Sequence, residues 1–381
     1  MSFNTNWNFP TSIKFGPDKI NEIGEACRSI KSKNPLIVTD KNLRNLKITN
    51  NLILLLQKLN IQYSIFSEVD PNPNDENLNE GIEIFKKGQH DGIIAFGGGS
   101  ALDLGKLIAF MANQSLSVWE FEDIGELWKK ADENAIYPII AIPTTAGTGS
   151  EVGRASVLTD RKKNIKKVIF HPRILPQQVI CDPLLTLEMP KKITAGTGMD
   201  ALAHCLEAYC SPTYHPMASG IAIEGIKLVK DNLIKAYIEG ENVDARANMM
   251  SAALMGATSF QKGLGGIHAL SHPIGAIFNT HHGTTNAVVM KNVLMFNKKE
   301  IISKINLLTK YLEIPNGFDG FIEFIETLCQ KLNIPKNLNE IGVDKNQIEL
   351  IASMAINDPT ASGNPIKLNY QNTLDLLRKC F

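Results

Sequence analysis

The sequence predicts an α/β nucleotide-type domain followed by an all-helical domain. Three observations carry that expectation. Short β-rich runs alternate with helical patterns through the first half, strand-like runs stop near residue 184, and helical periodicity fills the remainder. Strands alternating with helices imply parallel βαβ units whose sheet is covered on both faces.

The elements follow in order. Pro35-Leu36-Ile37-Val38-Thr39-Asp40 reads as a buried strand ending in a polar turn. A helical stretch near 45–59 precedes a second strand, Gln62-Tyr63-Ser64-Ile65-Phe66. A helix near 75–88 leads to Asp91-Gly92-Ile93-Ile94-Ala95-Phe96, an apolar run closed by glycines, and Pro138-Ile139-Ile140-Ala141-Ile142-Pro143 repeats the theme. The polar span Phe121–Asn134 reads as a surface helix or loop between them. Past Asp182-Pro183-Leu184, helical periodicity appears in Ile193–Cys210, Ala218–Glu239, Asp244–Phe260, Lys299–Leu312, Gly320–Leu332 and Asn346–Ile356. The expected domains are therefore residues 1–183 and 184–381.

Bulk properties narrow the function. At about 150 residues per domain, 381 residues suit two domains, each with its own core. Lysine plus arginine equal aspartate plus glutamate at 39 each, which argues against a general nucleic-acid binder and its basic face. The longest aliphatic run, Leu52–Leu56, falls far short of the ~20 apolar residues of a membrane span. The opening MSFNTNWNFPTSIKFG lacks the basic and apolar regions of a leader. Six scattered cysteines without a CxxC pair read as reduced thiols, and the expected location is the cytoplasm.

Two loops suit a nucleotide. Gly97-Gly98-Gly99-Ser100 follows a strand and opens a helix, so backbone can approach a phosphate and free N–H groups attract its charge. A tight turn without a ligand would look the same. Thr144-Thr145-Ala146-Gly147-Thr148-Gly149-Ser150-Glu151 also follows a strand, and in parallel sheets ligands bind at carboxyl ends of strands. Asp40 ends a strand on that same edge. Its carboxylate can accept ribose hydroxyls and would repel a 2′-phosphate, which favours NAD over NADP.

A metal is the second theme. Asp200 and His204 are four residues apart on an apolar helix and share one face. A buried carboxylate beside a buried imidazole is costly unless hydrogen-bonded together or bound by a cation. The stretch GGIHALSHPIGAIFNTHHG, Gly265 to Gly283, carries four of the eight histidines: His268, His272, His281 and His282. One aspartate with three histidines suits Fe(II), Zn(II) or Mn(II) better than Ca or Mg. Spacing alone leaves open which histidines take part, and Pro273 is expected to kink or restart the helix after His272.

These residues resemble the iron-containing, or group III, alcohol dehydrogenases along nearly the whole chain. The most specific pieces are GGGSxxDxxK at Gly97–Lys106, TTAGTGSE at Thr144–Glu151, GMDALAHCLEAY at Gly198–Tyr209, and the histidine-rich stretch. The resemblance implies a Rossmann-like N-terminal domain, a helical C-terminal domain of the dehydroquinate synthase-like/iron-alcohol-dehydrogenase fold, and an active site in the cleft between them. It implies metal ligands at Asp200, His204, His268 and His282, with iron as the metal. His272 is then the non-ligand histidine near substrate and cofactor, and His272 and His282 are the implied catalytic residues. It assigns NAD contacts to Asp40, Asn72, Gly98, Gly99, Ser100, Thr144, Thr145, Thr148 and Lys166. The implied chemistry is hydride transfer between an alcohol carbon and nicotinamide, the metal serving as Lewis acid at oxygen and His272 relaying the proton. Family members are often dimers or larger, so a homo-oligomer is expected.

Substrate choice is less legible. Where many relatives have Asn-Asn after the phenylalanine, this chain reads Phe260-Gln261-Lys262. Lys262 and Arg154 are candidates to meet an anionic group on an aldehyde; the alternative is a solvated Lys262 and a short uncharged alcohol. Two neighbouring enzyme types, dehydroquinate synthase-like and glycerol dehydrogenase-like, differ in their expected ligand sets. A non-catalytic NAD-binding structural protein is the reading from a different class, and degenerate ligands would favour it.

Overall fold

Ile37, Ile94, Phe96, Ile140 and Ile142 point to one face of a six-stranded parallel sheet, and Leu36, Val38, Ile93, Ala95, Ile139 and Ala141 to the other. Successive strand residues face opposite ways, so a continuous apolar run buries both faces at once. The computed structural model describes residues 8–163 and 165–381. They form two units: Phe9–Thr145 with Gly149–Glu188, and Met189–Phe381 with Ala146–Thr148 and Asn8.

In the first unit the order is β1 (Ser12–Phe15), α1 (Ile23–Ser29), β2 (Leu36–Asp40), α2 (Lys47–Lys58), β3 (Ser64–Val69), α3 (Asp75–Lys87), β4 (Ile93–Gly97), α4 (Gly99–Met111), β5 (Ile139–Pro143), β6 (Ala155–Asp160), β7 (Ile165–Phe170) and β8 (Gln178–Cys181). The sheet runs β1-β8-β5-β4-β2-β3, with β6 and β7 as a separate antiparallel hairpin. Helices α1 and α2 supply Ile23, Ala26, Leu52 and Leu56 to one face; α3 and α4 supply Leu78, Phe85, Leu104 and Ile108 to the other. Helix α4 lies tightly on the sheet because residue 105 is glycine: a Cβ there would sit 2.7 Å from that of Ala95. The Phe121–Asn134 span holds short 3-10 turns.

In the second unit the order is α5 (Lys191–Cys210), α6 (Pro216–Ile238), α7 (Val243–Ser259), α8 (Gly266–Phe278), α9 (His282–Tyr311), α10 (Gly317–Lys331), α11 (Ile348–Ala355) and α12 (Tyr370–Arg378). Among the described residues no strand follows Cys181, and no helix is long and apolar enough to cross a membrane. Helix α5 is buried nearly all round, so its polar residues face protein rather than water. Helix α9 starts far earlier than the periodicity of Lys299–Leu312 suggested. Its first turns are rich in Thr and Asn, weak helix formers that are held by packing and bonds such as Thr285 Oγ1 to the His281 carbonyl at 3.1 Å. Helix α8 runs through Pro273 without restarting, so His268 and His272 stay on one helix.

Candidate active site and metal centre

The close crossing of α5 and α9 creates the site. A Cβ on Gly283 would lie 2.0 Å from the Gly196 carbonyl oxygen, so only glycine permits this approach. It brings the first turn of α9 against the Asp200 turn of α5. Helix α8 adds His268. The result gathers three imidazoles around one carboxylate oxygen: Asp200 Oδ1 is 3.5 Å from His282 Nε2, 3.8 Å from His268 Nε2 and 3.9 Å from His204 Nε2. His204 and His268 stack with ring centroids 4.7 Å apart.

These atoms fit a cation. Ligands about 2.1 Å from a tetrahedral ion stand about 3.4 Å from one another, close to the spacings above. Asp200, His204 and His268 are buried, and their donor atoms lie within 4.8 Å of one another. Asn286 Nδ2 donates to Asp200 Oδ1 at 2.8 Å and lies 3.3 and 3.2 Å from His268 Nε2 and His282 Nε2. Its own Oδ1 is buried with no hydrogen-bond partner among the described residues. Asp200 Oδ1 and the Nε2 atoms of His268 and His282 thus converge on one amide donor. The donor set, nitrogen plus one carboxylate, is that of a borderline divalent metal.

Crowding sets the charge of each of these groups. Burial alone would raise the Asp200 carboxyl, but the imidazoles of His204 and His282 hold it well below the usual range, so it is an anion. Burial pushes His204 down to about 4, which keeps it neutral and able to ligate. His268 is opposed by burial yet raised to about 9 by the Glu207 carboxylate.

Glu207 escaped the sequence reading. It sits one turn beyond His204 on α5 and accepts from His268 Nδ1 and from the Ile267 N–H, both at 2.6 Å. An acceptor on Nδ1 turns Nε2 toward Asp200. Asp358 likewise meets His272 at Nδ1, at 2.8 Å. The His272 ring stacks on that of His282, centroids 5.5 Å apart. His281 is the N-cap of α9, its side chain accepting from the Thr284 N–H. Phe260 packs edge-on against His204 at 5.2 Å.

Lys262 departs from expectation. It is buried, and its ammonium donates to the Tyr209 carbonyl at 3.0 Å, where Lys304 also binds the carbonyls of Tyr209, Cys210 and Ser211. Both lysines cap the C-terminus of α5, where carbonyls lack helical partners. Burial lowers the Lys262 pKa to about 8. It is therefore not solvated. Arg154 lies over the Phe170 ring at 5.4 Å, its pKa lowered by burial and supported by Asp123.

The cofactor candidates of the first unit form a group of their own. Thr144 N–H donates to the Gly97 carbonyl at 3.0 Å. A Cβ on Gly98 would meet Thr145 Cγ2 at 3.3 Å, and one on Gly97, whose φ is +150°, would lie 3.8 Å from Asp40 Oδ2. Gly98 is the N-cap of α4 without a side-chain cap, and Gly99 begins the helix. Asp40 Oδ1 accepts the N–H groups of Asn42 and Leu43. Ser100 donates to the Pro71 carbonyl at 2.6 Å, beside Asn72. Lys166 pairs in register with Thr159, whose N–H donates to the Pro73 carbonyl. Thr148 belongs to the other unit, where a Cβ on Gly147 would strike Thr197 at 2.6 Å. Lys106 closes the GGGSxxDxxK motif. Wholly buried, it donates to the Ser150 carbonyl at 3.0 Å and the Ala155 carbonyl at 2.5 Å, tying α4 to the second loop.

Comparison with known proteins accords with this geometry. Residues 10–183 match the model of "Iron-containing alcohol dehydrogenase", and residues 194–381 that of "Fe-containing alcohol dehydrogenase family, C-terminal". The chain is 36% identical over 377 residues to 1,3-propanediol dehydrogenase of Citrobacter freundii, covering 96% of each. It is also 36% identical over 366 residues to 4-hydroxybutyrate dehydrogenase of Cupriavidus necator, covering 93% of this chain and 94% of that one. A crystal structure of 1,3-propanediol oxidoreductase superposes with a TM-score of 0.93 at 34% identity, covering 99% of each chain.

Proposed function

The chain belongs to the iron-containing alcohol dehydrogenase family, and from that premise we propose its ligand set, cofactor preference and substrate class. It is a metal-dependent alcohol dehydrogenase/aldehyde reductase that uses NAD(H). Asp200, His204, His268 and His282 would hold the metal, Fe(II) in preference to Zn(II) or Mn(II). The observation that carries this reading is the gathering of three Nε2 atoms within 3.9 Å of Asp200 Oδ1.

When bound, the cation supplies Lewis acidity at the reacting oxygen and the nicotinamide exchanges the hydride. The residues do the rest. His272 Nε2 accepts the hydroxyl proton in oxidation and returns it in reduction. Phe260, packed on His204, excludes water from that side of the ring. Gly98, Gly99 and Ser100 receive the pyrophosphate, with Thr144, Thr145, Thr148, Asn72 and Lys166 lining the remainder. The Asp40 carboxylate would repel a 2′-phosphate, so NAD is preferred over NADP.

The substrate we infer is a short alcohol or aldehyde that needs no anionic group. One relative is named for a diol and another for a hydroxy acid at the same identity, so resemblance favours neither. The attachment of Lys262 to the Tyr209 carbonyl favours the uncharged class. A cytoplasmic homo-oligomer fits the six free cysteines and the family. The test is anaerobic turnover of Fe(II)-loaded protein with NADH against neutral and acidic short aldehydes, beside a metal-free control. Iron-dependent reduction of propanal supports the reading; turnover of acidic aldehydes alone would overturn the substrate class.

A further inference from the structure

We propose that Asp358 is a positioning residue that sets the tautomer and the aim of His272, an inference that rests on the reading of His272 as proton relay. The two meet at 2.8 Å across 86 positions of sequence. The Asp358 side chain is only 9% exposed and that of His272 14%, so water competes weakly for this bond. Asp358 Oδ1 accepts the N–H and the hydroxyl of Thr360, at 2.9 and 2.5 Å, which leaves Oδ2 for the imidazole.

The carboxylate is also held from behind. It caps the 3-10 turn Pro359–Gly363, and that turn ends at Asn364. Asn364 Oδ1 accepts the Gly266 N–H at the start of α8, and its amide pairs with Asn297 at 2.8 and 2.9 Å. The segment therefore grips α8 at Gly266 and at His272, six residues apart. Burial opposes the Asp358 charge, but His272 and Thr360 outweigh it, so the group stays an anion. A carboxylate anion only accepts hydrogen bonds, so Nδ1 must carry the hydrogen. In the neutral ring Nε2 then holds the lone pair. One turn earlier on α8, His268 Nδ1 likewise meets a carboxylate, Glu207 of α5.

In oxidation the C–H bond breaks and its electron pair leaves with hydrogen as hydride to the nicotinamide. The O–H proton goes to His272 Nε2 and from the imidazolium to water. Asp358 gains no proton; it stabilises the imidazolium and keeps the ring turned.

Asp358→Asn separates this role from packing. The amide matches the carboxylate in shape but can donate to Nδ1, which moves the hydrogen to Nε2. In Zn(II)-loaded protein, which is diamagnetic, ¹⁵N shifts of His272 should show protonated Nδ1 in the wild type and protonated Nε2 in the variant. With Fe(II), kcat should fall at least about tenfold, by no more than in His272→Ala. KM and metal affinity should stay within about twofold, and Asp358→Glu should recover part of the loss. On a His272→Ala background, Asp358→Asn should have no further effect. An equal further loss there, or a kcat fall with Nδ1 still protonated, would overturn the proposal. If Asp358→Asn does not fold, Thr360→Ala, which frees one oxygen of Asp358, should lower kcat less but in the same His272-dependent way, and an unchanged kcat would count against the proposal. Wild-type turnover in His272→Ala would instead refute the relay, while the ¹⁵N shifts still judge whether Asp358 sets the tautomer.

Discussion

Gly283 crosses Gly196 so closely that a Cβ on Gly283 would lie 2.0 Å from the Gly196 carbonyl oxygen and 3.0 Å from the Cβ of Asp200. Backbone cannot yield as a flexible side chain can, so α9 must move away to admit a methyl group. Gly283→Ala should therefore weaken metal binding by at least about tenfold and lower Tm, because His282 retreats from Asp200. Chelator competition and thermal melts check this; unchanged affinity would contradict the crossing.

Glu207 orients His268 from the far side of the ring. Glu207→Gln keeps an acceptor for the Ile267 N–H but can present a donor to Nδ1. Metal affinity should fall about 10–100-fold with secondary structure intact. Titration against a chelator, followed alongside circular dichroism, measures both.

His268 and His272 should separate cleanly. His268→Ala removes a proposed ligand and should abolish stoichiometric metal binding. His272→Ala should keep the metal and slow turnover by about 100-fold. Metal content by elemental analysis, set beside kcat, distinguishes the two, and equal metal loss would refute the division.

Lys262 should matter for stability and not for substrate charge. Lys262→Met removes a donor from the end of α5 and should cost about 1–2 kcal/mol, softened by Lys304. KM values for acidic and neutral aldehydes should move together. A selective rise in KM for the acidic one would restore the anion-binding role.

Glu151 carries a pH dependence. Burial raises its carboxyl from 4.5 to about 7. A raised folded-state value means its contribution is whole below 4.5 and is lost as pH rises through about 7. Glu151→Gln has no such titration. The variant should gain on the wild type by roughly 2–3 kcal/mol between pH 4.5 and 8, read from denaturant midpoints at each pH.

Much of the molecule was legible in the linear chain. Continuous runs such as Ile93–Gly97 declared buried parallel strands because a strand covered on both faces needs apolar residues at every position. Asp200 and His204 were recognisable as one helical face from their spacing, and the glycines after β4 from the demands of a strand-to-helix turn. Weaker elements were not. The four-residue β1, the hairpin of β6 and β7, and the Thr/Asn-rich start of α9 owe their form to partners far along the chain, not to their own periodicity.

The sequence by itself determined the fold class, the residue types of the candidate metal site and the loops suited to a nucleotide, since these depend on local period, residue chemistry and turn geometry. Only the tertiary structure decided what each side chain meets. Glu207 reaches His268 across 61 positions, Asp358 reaches His272 across 86, and Lys262 turns back to Tyr209 across 53. Such pairs leave no periodic trace. They arise from where α5, α8 and α9 cross, and that is set by close packing at residues such as Gly196 and Gly283.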